Sequence, residues 1–138
     1  MAVSFSDIEN AFLFVSMDQQ FMHMAYLCKE TGKIFYTSEM GDSDELPEDI
    51  DDQDKYISIP HKNDLDLGKP LVIEFTSKYL PEDLDNVYSI FRRKGAYSRY
   101  KDFLENKGIL KDWYDFENER QTVALKEWCN ENNIVIKG

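Results

Sequence analysis

Cysteine is scarce in this sequence, since the 138 residues contain only Cys28 and Cys129. Neither belongs to a C-x-x-C pair or to another spacing of paired ligands, so no zinc motif is present. A disulfide between them is compatible with the sequence. A chain without a secretory signal, however, favours two buried free thiols. We therefore expect neither a disulfide framework nor a resident metal.

Long apolar runs are also missing. No stretch approaches the roughly 18 consecutive apolar residues that indicate a membrane-spanning helix. The first residues, from Met1 to Ser6, lack the basic and then apolar pattern of a signal peptide. We expect a cytoplasmic protein with no membrane partner.

Basic residues are also few in comparison with acidic ones. The chain has 16 Lys and Arg against 27 Asp and Glu, a net charge of −11. A protein this acidic repels polyanions overall, which disfavours duplex nucleic acid and anionic lipid as partners. Aromatic residues, by contrast, make up 14% of the chain, enough to build a core and to exclude disorder over most of it. The length predicts a single domain over residues 1–138.

The N-terminal part of the chain predicts a helix followed by a β-hairpin. Ser6 to Glu9 matches a capping box, and apolar residues at helical spacing then predict a helix from about Asp7 to Met17. Apolar residues on both alternating sets from Phe21 to Cys28, and the β-forming residues Lys33 to Ser38, predict two strands. Gly32 supplies the turn between them.

An acidic stretch separates this hairpin from a third predicted strand. Residues 39–54 carry nine acidic side chains and no basic one. Like charges at this density repel each other, so we expect a flexible acidic loop. Tyr56 to Pro60 then predicts a short strand that ends at the proline.

The C-terminal half is predominantly helical by pattern. Apolar residues recur every four positions from Leu67 to Tyr79, although Val72 to Phe75 is also compatible with a strand. Pro81 fits the first turn of the next helix. Gly95 and Gly108 fit left-handed helix ends. The pattern thus predicts further helices over Ala96–Asn106 and from about Leu110 to Asn130, and an edge strand at Ile134–Ile136. In the longer helix, residues such as Trp113 and Tyr114 recur at helical spacing. The fold class is α+β, a small antiparallel sheet packed against four to five helices.

Several of these segments together resemble a known family. They are Ala25-Tyr26-Leu27, Thr31 to Ile34, Tyr56 to Pro60, the run Phe91 to Lys101 with its Gly-Ala-Tyr-Ser-Arg core, Trp113 to Glu117, Glu127 to Cys129 and Asn133-Ile134. In these residues the chain is similar to UPF0158, an uncharacterised bacterial family, from about Ala25 to Ile134. The resemblance implies a small soluble bacterial protein. It implies no activity, because the family has no assigned chemistry.

The most informative feature is a cluster of positive charge, which we call the basic segment. It contains Arg92, Arg93, Lys94, Arg99 and Lys101. If Gly95 turns the chain between two helices, the amides at the start of the second helix form a natural anion site. Arginine forks match phosphate or carboxylate groups, and hydroxyl groups add donors. The predicted ligand-binding residues are Arg92, Arg93, Gly95, Tyr97, Ser98, Arg99 and Lys101.

Two alternatives for the basic segment stay open. Its cations could complement the dipole at the end of a helix and pair with the protein's own carboxylates. The acidic loop, residues 39–54, could also fold over the segment and mask it.

No group of residues predicts catalysis. His23 lies in a strand pattern and suits a structural role. His61, near Asp64, could act as a base or metal ligand, or could simply cap its loop. Asp42-Ser43-Asp44 begins like a calcium loop, but the glycine and glutamate required further on are missing. We expect no cofactor, no metal and no catalytic residue.

These observations favour a non-catalytic binding module that recognises a small anionic ligand or a protein partner through the basic segment. An enzyme acting on a phosphorylated or nucleotide substrate is the alternative. Its proton would come from His61, Asp64 or Glu117. Single-stranded nucleic acid, bound with Tyr97 or Tyr100 as stacking rings, is the third hypothesis and is opposed by the net charge. An oligomer is compatible with the sequence.

Overall fold

The computed structural model of the protein describes residues 2–39 and 43–137. Its backbone contacts divide the chain into two compact units. Unit 1 consists of Met1–Leu65 with Ala124–Gly138, and unit 2 consists of Asp66–Val123. The α+β class is confirmed by the elements described below. The single domain over residues 1–138 stays a prediction.

Unit 1 begins with a strand that runs directly into a helix. Strand β1 (Ala2–Ser4) pairs in parallel with β5 (Val135–Lys137), and helix α1 (Phe5–Ser16) follows β1. The predicted edge strand near residue 135 is thus confirmed. The capping box is wrong, because the helix begins at Phe5 and Ser6 lies inside its first turn without capping it. Strand β1 ends at Ser4 and the helix follows it directly, so α1 begins at Phe5 and not at the predicted Asp7.

A three-stranded antiparallel sheet forms the rest of unit 1, in the order β3-β2-β4. Its strands are β2 (His23–Cys28), β3 (Ile34–Ser38) and β4 (Tyr56–Ser58). The hairpin and the third strand are confirmed, and Gly32 has the predicted positive φ of 78°. Phe14 of α1 contacts the rings of His23 and Tyr36 on this sheet. The buried residues of α1 are Ile8, Ala11, Phe12 and Val15, which follow the predicted helical spacing.

The start of the acidic stretch covers the outer edge of β3. The Tyr36 amide donates to Asp44 Oδ2 at 2.8 Å, and the Asp44 amide donates to the Tyr36 carbonyl at 2.8 Å. Beside them, the Ser38 amide donates to Ser43 Oγ at 3.0 Å. These contacts occupy polar groups that an open strand edge would offer to another chain. Asp42 lies outside the described residues, and the flexibility of the acidic loop stays a prediction.

Unit 2 is helical and is built around aromatic residues. It contains α2 (Lys69–Tyr79), a short 3₁₀ helix over Pro81–Asp83, α3 (Leu84–Ile90), α4 (Ala96–Asn106) and the first part of α5 (Leu110–Glu131). The bounds of α4 are those predicted, and residues 72–75 are helical. The core of the unit consists of Leu71, Val72, Phe75, Val87, Tyr100, Leu104, Trp113 and Phe116.

The centre of this core is a group of aromatic rings. Trp113 packs edge-on against Phe75 and Tyr100, with ring centroids 5.4 and 5.3 Å apart. Phe116 joins the group one helical turn after Trp113. Tyr114, by contrast, is 39% exposed. Trp113 and Phe116 define the buried face of α5, and the residue directly after Trp113 points away from that face.

Candidate functional site

The basic segment spans the turn between α3 and α4 in unit 2. Helix α3 ends at Ile90, five residues earlier than the predicted end at Gly95. Gly95 instead directly precedes α4, and its φ of 73° places it in the left-handed region as predicted. A residue with a side chain pays a steric cost in this conformation, whereas glycine does not. Gly95 therefore allows the reversal that places the cations next to the start of α4.

Arg99 folds back across this turn. Its Nη1 donates to the Lys94 carbonyl, and its Nη2 donates to the Ile90 carbonyl at 3.2 Å. Ile90 is the last residue of α3, where a helix leaves carbonyl acceptors unpaired, and Lys94 lies in the turn that follows. A side-chain carbon on Gly95 would lie 3.3 Å from Arg99 Nη1. Gly95 and Arg99 thus hold the turn together, and the bond to Ile90 is a helix-end contact of the kind that the alternative interpretation predicted for the cations of the basic segment.

The three cations before Gly95 point into solvent. Arg92, Arg93 and Lys94 are all exposed. No ion pair within 4.0 Å involves any of the three in the part of the chain that the structure describes. Over residues 2–39 and 43–137, the alternative in which these cations pair with the protein's own carboxylates therefore has no ion pair to support it.

The first turns of α4 contribute the other predicted ligand residues. Ser98 is exposed, and the half-buried ring of Tyr97 packs edge-on against Phe91 at 5.0 Å. Burial and the nearby Glu117 carboxylate raise the pKa of Tyr97. The Lys101 ammonium lies 5.6 Å from the centroid of the Tyr114 ring. The predicted residues are therefore gathered around one turn and the beginning of one helix.

His61 has the structural role that the loop-capping interpretation predicted. Its side chain is buried, and its Nδ1 accepts a hydrogen bond from the Asn63 amide at 3.0 Å. Nε2 must then carry the proton, which it donates to the Asp18 carbonyl at 2.8 Å. Asp64 accepts from the His61 amide at 3.0 Å and from Gln20 Nε2 at 2.9 Å. The enzymatic alternative must therefore find its base elsewhere.

His23 is likewise a structural residue. It is buried, and its Nδ1 lies 2.8 Å from the Ser38 hydroxyl. No set of three His, Cys, Asp or Glu side chains could hold a metal ion within residues 2–39 and 43–137. Of the residues that resemble the start of a calcium loop, Ser43 and Asp44 bind the edge of β3 instead.

The two cysteines are free and buried, as predicted. Burial opposes ionisation of Cys28. Hydrogen bonds from the Thr31 hydroxyl and from the amides of Thr31 and Glu30 outweigh this effect and lower the pKa of Cys28. Burial alone raises the pKa of Cys129. The pKa values of the two thiols are therefore shifted in opposite directions, although both side chains are buried in unit 1.

The charge of the chain is divided very unevenly between the two units. Residues 66–123 contain ten Lys and Arg and eleven Asp and Glu, so unit 2 has a net charge of −1. The remaining −10 of the total of −11 belongs to unit 1. All the arginines lie in unit 2. This uneven distribution of charge can be calculated from the sequence, but only once the boundaries of the two units are known.

Comparison with known proteins finds one family. A model described as "Uncharacterised protein family (UPF0158)" matches residues 4–137, nearly the whole chain. No curated protein and no solved structure matches the chain. In the described part of the chain, no helix combines the length and the apolar character that crossing a membrane requires.

Proposed function

The chain belongs to the uncharacterised family UPF0158, and since that membership brings no activity with it, we propose from the basic segment that the protein is a non-catalytic binding module for an anionic ligand or partner. The ligand contacts Arg92, Arg93 and Lys94 on the turn, and the start of α4 beside them. Ser98 and Lys101 add a hydroxyl donor and a further cation.

One observation carries this proposal. Arg92, Arg93 and Lys94 are exposed next to one another, and no carboxylate lies within 4.0 Å of them among the described residues. Exposed like charges repel each other, so placing them together has an electrostatic cost. An anion bound at this turn would remove that repulsion.

The shape of the turn supports the same proposal. Arg99 bonds to the main-chain carbonyls of Ile90 and Lys94, so the turn is held in place before any ligand arrives. Binding then requires less ordering of the backbone, which favours affinity. At the other end of the turn, the first amides of α4 lack partners within the helix and carry partial positive charge.

Calorimetry with inorganic pyrophosphate as the probe tests the proposal. We expect binding by the unmodified chain and at least five-fold weaker binding by the double variant Arg92→Ser/Arg93→Ser. Lys111→Ser is the matched control, because it removes an exposed cation of unit 2 outside the basic segment. Equal affinity in the double variant and the control, or no binding of pyrophosphate, of a polyglutamate peptide or of an oligo-dT strand at low salt, would contradict the proposal.

A further inference from the structure

We infer that the anionic partner of the basic segment is a single-stranded nucleic acid, held by its phosphates on the turn and by its bases on exposed tyrosine rings. This inference rests on the proposed function and names the chemical class of the partner. It is drawn from three features of unit 2: the row of cations, the rings beside them, and the near-neutral charge of the unit.

The cations form a row along the chain. Arg92, Arg93 and Lys94 are consecutive, and Lys101 continues the positive charge along α4. No acidic residue interrupts the sequence from Arg92 to Lys101. Such a row suits a ligand with repeated negative charges better than it suits a single phosphate, since each cation can neutralise a different phosphate.

Two exposed tyrosine rings of unit 2 lie beside lysines, and one of these lysines is Lys101 of the basic segment. Tyr97 and Lys101 lie one turn apart on the same face of α4. The Lys101 ammonium lies over the ring of Tyr114, which is 39% exposed. On α3, Tyr88 is 38% exposed and has the ammonium of Lys69 5.6 Å from its ring centroid. An exposed ring beside a cation can stack with a base while the cation contacts the adjoining phosphate.

These rings favour nucleic acid over an acidic peptide. Carboxylates would be satisfied by the cations alone and would leave the exposed tyrosines without a role. Duplex DNA fits less well, because its bases are already stacked on each other and unavailable to the rings. An unpaired strand offers both phosphates and open base faces.

The net charge of −11 for the whole chain overstates the repulsion between a nucleic acid and unit 2. Unit 2 has a net charge of −1, and unit 1 carries the other −10. Salt screens exposed charges beyond about 8 Å at physiological ionic strength, so a bound strand responds mainly to the charges nearest to it. Within the sequence from Arg92 to Lys101, those charges are all positive.

Fluorescence anisotropy of a labelled 15-nucleotide oligo-dT, with the full chain at several salt concentrations, tests the inference. We expect binding whose logarithmic salt slope is about −2 to −3, from three to four neutralised phosphates at about 0.7 each. Arg92→Ser/Arg93→Ser should reduce the size of that slope by about 1.4. A labelled hairpin duplex should bind at least five-fold more weakly than oligo-dT.

Ring variants separate stacking from charge. Tyr114→Ser should weaken oligo-dT binding at least five-fold, because loss of stacking on one base costs about that or more. Tyr114→Phe keeps the ring and should bind within two-fold of the unmodified chain. Phe21→Ser is the control, since it removes a 73% exposed ring from unit 1. Circular dichroism of each variant verifies that it is folded.

The outcomes distinguish this inference from the proposed function. If polyglutamate binds as tightly as oligo-dT and Tyr114→Ser has no effect, the partner is an acidic peptide and the inference is overturned, while the anion-binding module stands. If neither pyrophosphate, polyglutamate nor oligo-dT binds at low salt, both are overturned. Oligo-dT binding that requires Arg92, Arg93 and the Tyr114 ring supports both.

Discussion

Replacing Gly95 with alanine tests whether the turn at the basic segment is held as the structure indicates. The left-handed conformation at φ 73° costs an alanine about 1–2 kcal/mol. Lower entropy of the unfolded chain offsets about 0.4–1 kcal/mol of this. A new side-chain carbon would also lie 3.3 Å from Arg99 Nη1 and would displace the guanidinium. Loss of its bonds to the two carbonyls adds about 1 kcal/mol at this exposed site.

Gly108→Ala is the matched control for this change. Gly108 has nearly the same conformation, with φ 75°, but a side-chain carbon there would meet no atom within 4 Å. We therefore expect Gly108→Ala to lower the free energy of unfolding by about 1 kcal/mol and Gly95→Ala by about 2 kcal/mol. Urea denaturation followed by tryptophan fluorescence measures both losses.

A double-mutant cycle with Arg99→Met isolates the contact. If Arg99 holds the turn, Arg99→Met alone should cost about 1 kcal/mol and should add almost nothing to Gly95→Ala. The reasoning is refuted if the two glycine variants lose equal stability, or if Arg99→Met adds its full cost on top of Gly95→Ala.

Three further measurements probe other parts of the molecule. Burial raises the pKa of Tyr100 to about 12, so the hydroxyl loses its proton in the unfolded chain first, near pH 10. In urea titrations, the contribution of Tyr100 to the free energy of unfolding should be complete below pH 10 and should fall as the pH rises toward 12. Tyr100→Phe should flatten this fall. Ellman's reagent should modify Cys28 before Cys129 in the folded protein, and Cys28→Ser should remove the faster phase; loss of the slower phase instead would contradict the assigned thiolate stabilisation. Asp44→Ala should leave the Tyr36 amide without its acceptor, cost about 1 kcal/mol and increase aggregation through the uncovered edge of β3; unchanged light scattering on heating would contradict the edge-protection part.

Local signals allowed much of the fold to be predicted. The bounds of α4 were predicted as the structure has them, because glycines in the left-handed conformation lie near both of its ends. The hairpin of β2 and β3 was predicted from alternation and a glycine turn. Strand β1 was not predicted, since three residues are too short for a pattern and their partner, β5, lies at the other end of the chain. Helix α1 begins directly after this strand, at Phe5, two residues before its predicted start.

The sequence indicated which residues lie at the turn of the basic segment, but only part of how their side chains are arranged there. Proximity in the sequence was enough to bring Arg92 to Lys101 together at one turn. The sequence could not show that α3 ends at Ile90, which leaves carbonyls for Arg99 to cap. From the sequence, Arg99 and Arg92 were predicted to have the same role. In the structure, Arg99 bonds to the backbone, whereas Arg92 lies in solvent. Such differences depend on side-chain direction around a turn, which spacing along the chain does not specify.

Net charge illustrates why a property summed over the whole chain can mislead about a site. The total of −11 argued against a polyanionic partner. The field at a surface, however, depends on charges within about a Debye length. Residues 66–123 have a net charge of −1, and the basic segment within this range contains no acidic residue from Arg92 to Lys101. The polyanion that we propose for unit 2 must therefore be judged against the charges nearest to the basic segment, and the total of −11 is the wrong quantity for that comparison.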